Sequence, residues 1–568
     1  MNIFKQIYIL ILNILIELKE QKLLNNIITD FIVAPPNNRL YGEIYTNVAF
    51  ILAKHEKKSA VEIAKILVNK IQCCQKISKV DIAYPGFINI QLKRTVWYDL
   101  LNSINTLKKE FGSLNIGKNE TVNLEFLSAN PTGPLHIGHA RGAVFGDVLA
   151  NLMKKVGYKV IKEYFINDAG AQINLLLQTV YLRYQEALGE KIILDNSVYT
   201  GEYLKSIGES LARKYGNTLI NTPHHQIFRT YTLNKILESI KEEMHLLGIS
   251  HDVFTSEDEI QKSGKIEESL RILSDKGLIY KGNLKQPKGK LTNTWIPRRE
   301  LMFRASKFGD DIDRALKKQD GHWTYFASDI AYHFDKISRG FKKIVVALGS
   351  DHTGYAKRLQ GVVSALSNNT VKIDIKIHNV VQFFEHGKPI KMSKRSGHFL
   401  TVQDVVEEVG KDATRFIMLT RSHDMVLDFD FDKVKEQSKD NPIFYVQYAY
   451  ARAFSLINKS PKNLPSPDLS LLINELELLL IQSLAKWPLI LENSAIQCEP
   501  HKVTFYLIEI AEIFHSLWGC GQNNIHMRMI LYDNLLLTAA RIFLVQAFLY
   551  ILADGLDIMN ITPLEEMK

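Results

Sequence analysis

Two imidazoles and two ammonium groups stand out for their spacing. The run Ala129-Asn130-Pro131-Thr132-Gly133-Pro134-Leu135-His136-Ile137-Gly138-His139 places two histidines three positions apart, with a glycine between them. Upstream, Val122, Leu124 and Phe126 alternate as a strand requires; downstream, Val144, Val148, Leu152 and Val156 recur at spacing four until Gly157, as a helix requires. The histidines therefore stand where a strand turns into a helix. A helix start offers unpaired N–H groups and the positive end of a dipole, so it suits a phosphate, and imidazole N–H groups add donors. Gly138 lets a flat or bulky group approach the backbone. An N-terminal capping turn with two half-exposed histidines accounts for the same pattern.

The second pair, Lys391 and Lys394, lies in Ile390-Lys391-Met392-Ser393-Lys394-Arg395-Ser396-Gly397, after the turn Gly387-Lys388-Pro389. Two ammonium groups on such a loop can neutralise charge that builds on a leaving pyrophosphate. Read alone, the run is equally a solvated basic turn. Either tetrapeptide alone carries the false-positive risk of any short motif; both together, in this order and context, argue against coincidence.

The elements that must position these groups follow from periodicity. Strand, helix and a second strand over 159–166 form a βαβ unit, which implies a parallel sheet with its ligand at the strands' carboxyl ends. The sheet is expected to resume over 325–330, 343–348 and 375–381. Residues 1–95 read as a small α/β domain with helices over 2–20, 47–55 and 60–72 and strands over 80–83 and 87–92. Residues 96–400 read as the catalytic domain, with a helical insertion at about 185–300. A connecting segment over 401–440 leads into an all-helical region, 441–568, with helices over 445–457, 471–485, 502–518 and 527–553.

Composition narrows the class. At 568 residues the chain has room for three or four domains, and 46% hydrophobic with 23% charged residues is globular. A net charge of +9, spread along the chain, suits a polyanion such as RNA. Cys73, Cys74, Cys498 and Cys520 form no Cys-x-x-Cys pair, so neither a zinc site nor a disulfide framework is expected, and a reducing cytoplasm is. The apolar run 7–16 is too short to span a bilayer and lacks a cleavage site. Phe4, Ile7, Ile11, Leu15 and Leu18 instead mark an amphipathic core helix, and no membrane association is expected.

With both runs in view, the chain resembles a class I aminoacyl-tRNA synthetase, whose signatures are His-Ile-Gly-His and Lys-Met-Ser-Lys-Ser; the second departs here only at Arg395. Within that class it resembles the arginyl-tRNA synthetases over nearly its whole length. The resemblance rests on Glu125-Phe126-Leu127-Ser128-Ala129-Asn130, Phe303-Arg304 through Phe308-Gly309-Asp310-Asp311, Asp329-Ile330-Ala331-Tyr332-His333, Gly349-Ser350-Asp351-His352 and Asn441-Pro442-Ile443-Phe444-Tyr445-Val446-Gln447-Tyr448. Pro85-Gly86-Phe87-Ile88-Asn89 is similar to the end of that family's additional tRNA-contacting domain, although Tyr41-Gly42-Glu43 stands where His-Gly-Asp is expected.

The resemblance implies an α/β fold: a Rossmann-like parallel-sheet catalytic domain with a helical insertion, a small α/β N-terminal domain and an all-α C-terminal anticodon-binding domain. It implies ATP-dependent attachment of L-arginine to tRNA(Arg) through an arginyl-adenylate. His136, Gly138, His139, Lys391, Met392, Ser393 and Lys394 would hold ATP, with His136, His139, Lys391 and Lys394 catalytic. Glu125, Asn130, His136, Tyr325, Asp329 and His352 (or Asp351) would hold arginine. A guanidinium does need fixed planar acceptors, which Glu125, Asn130, Tyr325 and Asp329 supply near expected strand ends, though Asp329 is equally placed to cap a helix. ATP enters as Mg-ATP and is consumed. No dedicated metal cage, no prosthetic group and a cytoplasmic monomer are expected. The alternatives are a class I synthetase for glutamate, glutamine or lysine, a non-catalytic tRNA-binding paralogue, and a general nucleotidyltransferase. The carboxylates Glu125 and Asp329 argue against an anionic substrate, the intact His and Lys pairs against a silent binder, and the helical C-terminus against the last.

Overall fold

The computed structural model describes residues 2–36, 38, 41–192, 199, 201–223, 225–283, 299–318, 321–390 and 400–567, apart from the side chains of 351–353. The first helix, Ile3–Glu20, starts where the Asn2 side chain accepts the Lys5 N–H at 3.2 Å, and it buries the expected stripe of Phe4, Ile7, Ile11, Leu15 and Leu18. It packs on helix Ala60–Ile71, opened by a reciprocal Ser59–Glu62 capping box. Beside them lies an antiparallel sheet in the order Val33–Ala34, Ile44–Thr46, Phe87–Leu92, Ile77–Ala83.

The sheet that positions the site is parallel and five-stranded, in the order Lys372–His378, Lys343–Gly349, Thr121–Glu125, Lys159–Ile166, Val253–Ser256. Helix Ile137–Lys155 crosses from the third of these strands to the fourth. It lies close because Gly146 leaves room for the Phe126 ring, which any Cβ there would strike.

Three expectations about these elements fail. Residues 325–330 are not a strand: Thr324 accepts the Ala327 N–H at 3.4 Å and opens helix Tyr325–Ser338, burying Phe326, Ala327, Ile330 and Ala331 at helical spacing. Thr324 is the cap, so Asp329 is a helix-interior residue and the capping alternative falls. The stretch 185–300 is not purely helical. It holds helices Glu202–Tyr215 and Gln226–Leu246, but also Val253–Ser256 at the edge of the parallel sheet, and strands Ile279–Asn283 and Arg299–Phe303 of a separate three-stranded sheet. Four residues are too few to show alternation in sequence. The run expected as one strand over 375–381 divides into Lys372–His378 and Val381–Glu385, and the second joins a different sheet, beside Leu427–Asp430.

The C-terminal region is helical: Pro442–Lys459, Glu475–Leu484, Trp487–Gln497, His501–Asn523 and Leu535–Ile558. The last is long and apolar enough to cross a membrane, but most of it is buried inside the fold, where it packs on three of the other four. Arg415, fully buried, ties this region to the parallel-sheet region by donating to Asp147 Oδ2 (2.7 Å), Leu247 O (2.8 Å) and Met559 O (2.6 Å).

Candidate active site

After strand Thr121–Glu125 the chain turns sharply, with Leu127 at φ 71° and Ser128 at φ 37°, a left-handed conformation unusual for side-chain-bearing residues. The neighbouring strand secures that turn. Ser128 Oγ accepts the Phe165 N–H at 3.0 Å, and the Tyr164 hydroxyl donates to Ala129 O at 2.7 Å. The path leads to His136, the N-cap of helix Ile137–Lys155, whose N–H donates to His139 Nδ1 at 3.2 Å while the two rings stack 3.6 Å apart. The histidines are thus both a capping turn and a half-buried pair at a helix start. Accepting at Nδ1 puts the proton of a neutral His139 on Nε2, which becomes a donor. Gly138 is exposed, and a Cβ there would fall 2.9 Å from His136 Nδ1.

Lys391, Met392, Ser393 and Lys394 lie outside the described residues, but the residues on both sides of their run are on view. The Ile390 N–H donates to Phe383 O at 2.7 Å. At the other end Leu400 O accepts the Ile137 N–H at 2.9 Å, and the Val402 N–H donates to Leu135 O at 3.0 Å. The exit of the lysine run is therefore stitched to the residues on either side of His136.

A second cluster lies beside the turn. The Asp329 carboxylate accepts from the Tyr355 hydroxyl. Burial pushes its carboxyl well above the usual carboxylate range, the nearby Glu257 and Glu125 carboxylates add to this, and Lys336 and Arg358 oppose it. Glu257 is 1% exposed, and burial, with a contribution from Asp168, pushes its carboxyl up to about 6 against hydrogen bonds from Ser328 and Gln261. Glu125, expected to face arginine, is already engaged: it accepts from the fully buried Lys336 ammonium at 2.5 Å. Asn130 is exposed, with its amide aligned by Asn167 (2.9 Å) and Gln172 (3.2 Å). Tyr325, which opens the Asp329 helix, is 55% exposed, with its hydroxyl close to Gly170 and the Lys318 ammonium 5.4 Å from its ring. The side chains of Asp351 and His352 are outside the described set.

The structure thus places Glu125, Asn130, His136, Gly138 and His139 along the one strand-to-helix connection, from the end of strand Thr121–Glu125 to the start of helix Ile137–Lys155, with Asp329 near Glu125. Sequence reasoning missed Glu257, Lys336, Tyr355 and Asn167. Lys336 had a signal: it follows Asp329 by two helical turns and so shares its face, once 325–338 is read as a helix. Glu257 had none, being one acid in the charged run 257–259. Among the described residues, no three His, Cys, Asp or Glu side chains are arranged to hold a metal ion.

Along its length the chain is similar to known proteins. The pattern described as "tRNA synthetases class I (R), catalytic domain" matches residues 101–441, "Arginyl tRNA synthetase N terminal domain" matches 9–92 and "DALR anticodon binding domain" matches 446–567. Arginine–tRNA ligase of Wolbachia pipientis wMel is 65% identical over 568 residues, covering 100% of both chains. The chain belongs to the arginyl-tRNA synthetases. The arginine–tRNA ligase of Ehrlichia ruminantium (strain Gardel) is 54% identical over 96% of this chain and 95% of that one. The solved Thermus thermophilus arginyl-tRNA synthetase, 19% identical, shares the fold with a TM-score of 0.73 over 99% of this chain and 100% of that one. In this synthetase the helical region also carries an aromatic and cationic ladder along helix Pro442–Lys459. The Arg452 guanidinium lies 4.3 Å from the Tyr448 ring and 4.8 Å from the Trp518 ring, and His515 stacks on Tyr448.

Proposed function

We infer that this enzyme attaches L-arginine to tRNA(Arg) in two steps at one site. The arginine carboxylate attacks the α-phosphate of ATP, giving arginyl-adenylate and pyrophosphate. The terminal ribose hydroxyl of the tRNA then takes the arginyl group and AMP leaves. No side-chain nucleophile is required, because positioning and charge stabilisation carry the rate.

On this reading His136 and His139 donate to the ATP phosphates at the helix start, adenine lies against Gly138, and Lys391 and Lys394, with Met392 and Ser393 between them, close over the β and γ phosphates. Magnesium travels with the ATP phosphates. Asn130 and His352 or Asp351 orient the amino-acid end, and Tyr325 covers the entrance. Asp329 and Glu257 face the guanidinium, while Glu125 acts from behind, neutralised by Lys336. Tyr448, Arg452 and Trp518 present stacking surfaces to tRNA bases. The enzyme works as a cytoplasmic monomer with no prosthetic group.

The observation that carries the specificity is the pair Asp329 and Glu257. Two clustered carboxylates with raised pKa values favour a substrate that brings its own positive charge, and a glutamate side chain would be repelled. A planar guanidinium can serve both carboxylates at once, which a single ammonium point charge cannot do as well. Aminoacylation of total tRNA with arginine, lysine, glutamate and glutamine in turn tests this. Charging by arginine alone is expected, and charging by any of the other three would sink the assignment.

A further inference from the structure

Glu243 is a buried carboxylate that the scheme above does not use. It lies near the end of helix Gln226–Leu246, is 6% exposed, and accepts the Leu135 N–H through Oε2 at 2.5 Å. Leu135 immediately precedes His136, and its backbone needs outside help. Pro134 before it has no N–H, and the first helical residue is Ile137, so no helical carbonyl serves the buried Leu135 N–H. The other side of Leu135 is also taken, because its carbonyl accepts the Val402 N–H at 3.0 Å.

Two remote pieces of chain therefore meet at Leu135, the insertion helix through Glu243 and the segment after the Lys391 run through Val402, while Leu400 O accepts the neighbouring Ile137 N–H. Helix Val402–Val409, opened by a Thr401–Asp404 capping box, packs on both the histidine helix and the Glu243 helix. Burial pushes the Glu243 carboxyl up to about 7, with Asp404 and Glu242 contributing in the same direction, so this site keeps an acid where an apolar residue would be cheaper to bury.

We propose that Glu243 is a positioning residue for ATP: its hydrogen bond to Leu135 holds the His136–His139 turn in register with Leu400–Val402, the segment that follows the Lys391 run. This rests on the reading that the histidine turn holds ATP. Glu243 touches no reacting atom and acts through the Leu135 backbone.

The test is steady-state aminoacylation kinetics of the full-length enzyme with tRNA present, ATP and arginine being varied separately, beside tRNA affinity and melting temperature. Glu243→Leu removes the acceptor and is expected to lower kcat/KM for ATP roughly five- to hundredfold, the range for leaving a buried N–H donor without its partner. The KM for arginine and the Kd for tRNA should stay within about twofold. Glu243→Gln keeps an acceptor oxygen and should restore most of the loss. A Glu243→Leu enzyme that melts earlier but turns over ATP normally overturns the proposal, as does a Glu243→Gln enzyme as impaired as Glu243→Leu. Should Glu243→Leu not fold, Glu243→Asp decides: its shorter side chain must impair the ATP parameters, and normal ATP kinetics overturns the proposal. His139→Ala separates the two levels. Normal ATP kinetics there removes the underlying reading and the proposal with it, whereas an impaired His139→Ala beside a normal Glu243→Leu removes the proposal alone.

Discussion

Glu477 and Glu257 are both 1% exposed, and their surroundings differ in kind. Glu477, in the helical C-terminal region, accepts from Arg541 Nε at 2.7 Å and from the Asn474 N–H at 3.1 Å. Arg541 then spends its remaining donors on His526 O (2.8 Å) and Arg528 O (2.7 Å). Every charge there is answered within the fold. Glu257, in the catalytic region, has the neutral partners Gln261 and Ser328 and no ion-pair partner among the described residues; Asp168 and Asp329 are neighbours of its own sign, and Lys318 opposes them only weakly. Burial of an acid is therefore a poor marker of function, and its company is a better one. A closed ion pair builds structure, whereas clustered acids with raised pKa values mark a place where the missing positive charge comes from a substrate.

The largest effect that follows belongs to the closed pair. Glu477→Ala leaves Arg541 buried without its counter-charge, which typically costs about 3–5 kcal/mol. A clear drop in melting temperature is expected, while the KM for arginine of the folded enzyme stays within about twofold. An unchanged melting temperature would remove Glu477 from the structural side of the comparison.

Glu257→Gln should do the reverse. Loss of a charge-assisted contact to the guanidinium is worth about 1.5–3 kcal/mol, or roughly ten- to hundredfold in kcat/KM for arginine. The melting temperature should hold or rise, because one of several like charges is gone. If thermal unfolding shows Glu257→Gln to be as unstable as Glu477→Ala, the distinction between the two acids collapses.

How far the sequence foretold this contrast depends on the range of the interaction. The histidine turn was legible because it is local: alternation, then a Gly/Pro-rich turn, then spacing four, all within 122–157. The N-terminal helix was legible for the same reason, its stripe from Phe4 to Leu18 being buried as expected. The residues that answer the turn were not legible. Lys336 neutralises Glu125 from 211 positions away, and Glu243 reaches Leu135 across 108. The run 325–330 misled because Tyr325 and Phe326, β-prone by type, outweighed the helical spacing of Phe326, Ile330 and Phe334. That one misreading hid both the true face of Asp329 and its relation to Lys336.

The smallest effect, and the sharpest test of the comparison, is in pH. Burial raises the Glu257 carboxyl to about 6, from an ordinary value near 4.5. A carboxyl raised on folding favours the folded state below its unfolded pKa, and that contribution is lost as pH rises through the folded value. In the absence of arginine, lowering pH from 7 to 5 should therefore narrow any stability advantage of Glu257→Gln over the parent enzyme, by at most about 2 kcal/mol. Arginine reverses the sign. The guanidinium requires the ionised acid, so the KM for arginine should climb as pH falls through about 6, by up to tenfold per unit. Glu257→Gln should flatten that climb by removing its contribution. The KM for ATP, measured over the same range in both enzymes, is the internal control, because Glu257 lies in the amino-acid cluster and its loss should leave the ATP profile unaltered. An arginine profile equally steep in Glu257→Gln would mean that the acid answering the guanidinium is Asp329 alone.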